Sequence, residues 1–144
     1  MSNTFNDQDL SGLEAVSGFP IAPAGAYTGY VSLERKTIND VPSIVMVFTV
    51  ASTLALDDPS AAEVDSGFEV NQICMLNDNA KYSIGKIDKI LEVLGKSRAE
   101  LKSVDAIVEA AQNVAVAFVL KVKPDKKNKE VLRNEVLEAS IMAG

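Results

Sequence analysis

The sequence predicts a mainly β domain with a helical insertion ahead of its last two strands. Three observations carry this reading. Alternating apolar residues recur in five short stretches bounded by Gly, Pro, Asn or Asp. The period turns helical only between 77 and 113. The 144 residues are 47% hydrophobic and 24% charged, which suits one soluble domain able to bury a core without metal or disulfide.

Residues 1–22 read as a flexible acidic N-terminal arm, carrying Asp7, Asp9 and Glu14 with no useful periodicity, and 23–144 as a single domain. "FPIAPAG" at 19–25 is extended and leads into a turn, because its two prolines restrict the backbone. In "AYTGYVSLERK", 26–36, Tyr27, Gly29, Val31 and Leu33 share one face, and Tyr30, Ser32 and Glu34 share the other. Asn39-Asp40 and Pro42 supply turn chemistry. "SIVMVFTVAS", 43–52, is apolar on both faces, as a central strand is. A loop covers 54–67, and "FEVNQICML", 68–76, is the third strand.

Ile84, Ile87, Leu91 and Leu94 fall at helical spacing before Gly95, a helix-ending glycine. "SRAE", 97–100, is a capping box that starts a second helix through Leu101, Val104 and Ile107, closed by Asn113. Val114, Val116, Phe118, Leu120 and Val122 then form one apolar strand face; the other face turns basic at Lys121 and Lys123. A turn at 124–129 leads to the returning strand, 130–141. The order β-β-β-α(α)-β-β is that of the OB-fold, a five-stranded, partly open Greek-key barrel.

Several chemistries are excluded by composition. The chain has no His and one cysteine, Cys74, so zinc sites and His-dependent nucleophiles lack their residues. No glycine-rich phosphate loop occurs. The carboxylate pair Asp57-Asp58 precedes Pro59 and reads as a solvated turn. No enzyme, metal or cofactor is therefore expected. A single cysteine suits a reducing cytoplasm, no apolar run has membrane-spanning length, and the N-terminus lacks the pattern of a secretory signal. The expected place of action is cytoplasmic, away from membranes.

The net charge of −6 hides an asymmetry. Residues 1–70 hold two basic residues against ten acids, whereas 121–133 alone hold six basic residues against two acids. In an OB-fold the nucleic acid crosses strands 2 and 3 between the loop joining strands 1 and 2 and the loop joining strands 4 and 5. Here those loops carry Arg35 and Lys36, and Lys126, Lys127 and Lys129 with Lys121, Lys123 and Arg133 beside them. Single-strand binding without sequence preference needs a positive track and aromatic faces for bases. The lysines and arginines supply the first. Tyr30 and Phe48 are the candidates for the second, with Phe68 and Tyr82 behind them. Phe48 and Phe68 also suit a core, and a lysine-rich hairpin also keeps a sheet edge soluble.

"PAGAYTGYVSLERKT", "GKIDKILEVLG" and "NVAVAFVLKVKPDKKNKEVLRNEV" resemble the first strand, short helix and closing hairpin of small phage-encoded single-stranded DNA-binding proteins with an OB-fold. The likeness covers roughly residues 22–140. It implies a non-catalytic protein that coats single-stranded DNA in phage replication or recombination. Its partners would be that DNA, further copies of itself and other replication or recombination proteins, in the host cytoplasm. The chain ends "EASIMAG", without the acidic tail many such proteins carry; its acidic segment is N-terminal. Two rival readings use the same residues. One is a virion structural protein, a capsid-decorating or assembly module with no nucleic-acid binding. The other is a partner-binding inhibitor that exploits the acidic first half.

Overall fold

The structure is a computed structural model that describes residues 21–125 and 130–144. Its chain is mainly β: strands β1 (Gly25–Ile38), β2 (Val41–Leu56), β3 (Glu69–Met75), β4 (Val114–Pro124), β5 (Leu132–Val136) and β6 (Met142–Ala143). Helices α1 (Ile84–Val93), α2 (Arg98–Leu101) and α3 (Val104–Ala110) stand between β3 and β4. All strand pairs are antiparallel, in the order β3-β2-β1-β4-β5, with β6 pairing to β4.

The β1–β2 hairpin is tighter than the sequence suggests. Asn39 and Asp40 both take positive φ, 49° and 64°, as a two-residue turn matched to strand twist requires. Both strands therefore run on to the turn, and Pro42 lies inside β2 opposite Thr37. Two register shifts increase the twist near Gly29, where a Cβ would lie 1.8 Å from the Thr49 carbonyl oxygen. Only glycine permits the strands to approach that closely.

The helical insertion departs from expectation in one place. The second helix breaks at Lys102, whose φ is 65°, and Ser103 caps a new start by accepting from the Ala106 N–H. α1 opens after a 3-10 turn at Asp78–Tyr82 rather than at 77. The last strand is also shorter than predicted: a 3-10 turn at Glu138–Ser140 follows β5 and turns the chain back so that β6 pairs with β4.

Inward residues follow the two-residue period. Tyr27, Val31 and Leu33 of β1 meet Ile44, Met46, Phe48 and Val50 of β2, and Val116, Phe118 and Leu120 of β4. Ile87, Ile90 and Leu91 of α1 and Ile107 of α3 complete the same cluster. Ala22 is fully buried in it, although the sequence places the end of the arm just after this residue. The Asn134 side chain holds it there. Ala22 N–H donates to Asn134 Oδ1 at 2.7 Å, and Asn134 Nδ2 donates to the Ala22 carbonyl at 2.9 Å.

No ladder joins β3 to β5, so the sheet stays open at that seam. A side chain bridges it. Gln72 of β3 donates through Nε2 to the Asn134 carbonyl at 3.3 Å, and its Oε1 accepts from the Val136 N–H at 3.3 Å. Oε1 also accepts from Lys86 Nζ at 2.8 Å. One carboxamide thus engages a carbonyl and the N–H two residues later, the pattern that the N–H and C=O of a single residue make in a parallel ladder.

Candidate nucleic-acid interface

β1 alternates strictly until its last turn, and its outer face carries Thr28, Tyr30, Ser32, Glu34 and Lys36. Tyr30 is 49% exposed. Its register partners are Thr49 on β2 and Ala115 on β4, both short, so the ring stands above its neighbours. Lys36 lies six residues further along β1 on the same face. On β4 the outer face continues from Ala115 to Lys121, also six residues, and then to Lys123. Six residues of strand span roughly 20 Å. Tyr30 therefore sits midway along an outer row that ends in cations on both sides.

The two basic clusters do not face each other across a narrow gap. β4 is antiparallel to β1, with Gly25 opposite Leu120 and Val31 opposite Val114. The β4–β5 hairpin consequently extends past the start of β1, whereas Arg35 and Lys36 lie near its end. Arg35 and Lys36 also point to different sides. Lys36 follows the outer face; Arg35 has the opposite parity and donates to Asp105 at the start of α3. Beside them a shallow groove of about 350 Å³ is lined by Arg35, Lys36, Pro42, Leu76 and Val104.

The described cations of the hairpin are likewise engaged. Lys123 Nζ is 2.6 Å from Glu135, Arg133 is 3.8 Å from Asp125, and Lys121 Nζ is 4.0 Å from Asp57. Lys126, Lys127 and Lys129 lie outside the described residues. Phe48 leaves the candidate set. It is 0% exposed and packs 5.2 Å from Phe118, centroid to centroid, because its parity on β2 matches Ile44 and Met46 rather than the outer face. Phe68 is partly buried against the core. Tyr82 is exposed, with Lys81 Nζ 5.2 Å from its ring centroid.

The outer face also holds groups that the sequence reading passed over. Ile73 of β3 is 46% exposed and lies opposite Val45 of β2, and Val45 lies opposite Glu34 of β1. Glu69 stands in the same cross-strand row as Thr49 and Tyr30. Alternation in "FEVNQICML" was the available signal for Ile73, since Val70 and Cys74 point inward. The ion pairs had no such signal, because Arg35 and Asp105 are 70 residues apart.

Among the described residues no group of three or more His, Cys, Asp or Glu could hold a metal ion. None of their helices is long and apolar enough to cross a membrane. No protein-family model matches the chain, and a search of curated proteins finds no match.

Proposed function

We propose that this chain is an OB-fold protein that binds single-stranded DNA with little sequence preference, as a non-catalytic coat in phage replication or recombination. The observation that carries the reading is the outer row of Lys36, Tyr30, Lys121 and Lys123, an exposed ring between same-face cations. Cations would neutralise phosphates and the tyrosine would stack on a base. The OB-fold part is supported by the strand order, by the helices between β3 and β4, and by the Gln72 link between the outermost strands.

Titration of a labelled oligonucleotide across a salt series tests this. Affinity should fall steeply with salt, with a slope of about −0.7 per phosphate contact. Replacing Lys121, Lys123 and Arg133 together by Ala should flatten that slope by about 2. Tyr30→Ala should weaken binding by about 1–3 kcal/mol with the slope unchanged. Absence of binding at low salt would sink the proposal.

A second reading, a virion structural protein, is favoured by the exposed apolar side chains Ile73 and Leu54 and by the pairing of most described cations on the path with acids. A protein-facing surface has such a mixture. It predicts the chain in purified particles rather than in a soluble replication fraction.

A further inference from the structure

On the outer face Lys121, Lys123 and Arg133 each already hold a carboxylate, from Asp57, Glu135 and Asp125 respectively. Lys36 is the cation of the path with no ion pair among the described residues. The acids come from separate places: the residue after β2, the hairpin turn, and β5. Lys121 and Asp57 are 64 positions apart, so the fold brings them together. Lys89–Glu92 on α1 is the ordinary local kind by contrast.

We infer that Asp57, Asp125 and Glu135 are built-in competitors for phosphate, which lower the affinity of this face for single-stranded DNA and speed its release. The inference rests on the single-stranded DNA reading. Carboxylate and phosphate oxygens make the same charge-assisted contacts with guanidinium and ammonium groups. A phosphate that docks must displace a carboxylate, and the displaced carboxylate then faces it as a like charge. Each of the three pairs has at least one well-exposed member, and only Asp125, at 25%, is mostly covered, so each is weak enough to exchange. An exposed pair shifts an equilibrium by a factor of about 1.5 to 5.

The test compares three full-length proteins with one labelled oligonucleotide at low salt: wild type, Asp57→Asn/Glu135→Gln, and the control Glu92→Gln/Glu109→Gln. The two variants change net charge equally, and the control also breaks an ion pair, but off the path. The first variant should bind about two- to twenty-five-fold more tightly than the control, with slower dissociation. Equal tightening in both would reduce the effect to net charge and overturn the inference while leaving the DNA reading intact. No binding by any of the three would overturn the DNA reading itself, and the inference with it. Thermal melts check that both variants fold; if the first does not, Asp125→Asn examines the remaining pair against Glu92→Gln.

Discussion

Tyr27 and Tyr30 are three residues apart on one strand and do opposite things. The odd one is buried between β2 and β4, stacks 6.3 Å from Phe118, and donates its hydroxyl to the Pro23 carbonyl at 2.5 Å. The even one stands in solvent. This contrast was legible in the sequence, because a two-residue period needs only one fixed point to assign every side chain of a regular strand. Phe48 defeated the same logic only because β2 is apolar on both faces, so composition could not say which face was the core. Burial raises the Tyr27 phenol above its ordinary value of 10.0, and the charges of Glu63 and Asp57 push it further the same way. A raised folded pKa stabilises the protein fully below the unfolded value and loses that contribution as pH climbs through the folded one. Melting temperature should therefore fall above about pH 10. Tyr27→Phe should lose about 0.5–1.5 kcal/mol at neutral pH with the hydrogen bond, yet show a shallower alkaline decline. Parallel declines in the two proteins would assign the alkaline loss to other groups.

At the scale of elements, the order of strands along the chain and the position of the helices were legible, whereas the strand pairing and the seam were not. Apolar period and turn residues locate strands, but nothing in them says that Gln72 reaches across to Asn134 and Val136. The break at Lys102 was equally hidden, since Ser97 and Ser103 are both competent caps and the apolar spacing runs through both helices. Gln72 gives the seam a testable energetics. Its carboxamide makes two bonds to β5, one to the Asn71 carbonyl and one to Lys86, whose ammonium pKa is lowered chiefly by burial, against the pull of Glu135 and Glu138. Gln72→Leu keeps the bulk and deletes all four bonds. Stability should drop by about 1–3 kcal/mol, and amide exchange should accelerate most at Val136 and its β5 neighbours. Exchange that rises uniformly over all five long strands would mean that the seam has no local role.

Across the whole molecule the charge pattern and the fold act on each other. The sequence shows an acidic first half and a basic hairpin, but it cannot show that Asp57 from the first meets Lys121 in the second. Chain ends are similar: composition marks where an arm stops only to within a few residues, because short polar and small residues serve an arm and a packed approach equally well. Here the packed body includes Ala22, tied at both backbone groups to Asn134, and Pro23, whose carbonyl holds the Tyr27 hydroxyl. The Asn134 amide also donates to Lys121, so this contact links the start of the folded body to the base of the β4–β5 hairpin. Chains starting at Ile21 and at Ala24 should consequently differ far more than three exposed residues could explain. Loss of three partly buried hydrogen bonds and of the Ala22 packing predicts that the shorter chain is less stable by about 2–4 kcal/mol in urea unfolding. It should also show faster amide exchange at β5, where Asn134 is left without its partner. Coincident unfolding midpoints for the two chains would show that the body begins after Pro23 and that the Asn134 clamp contributes nothing to its stability.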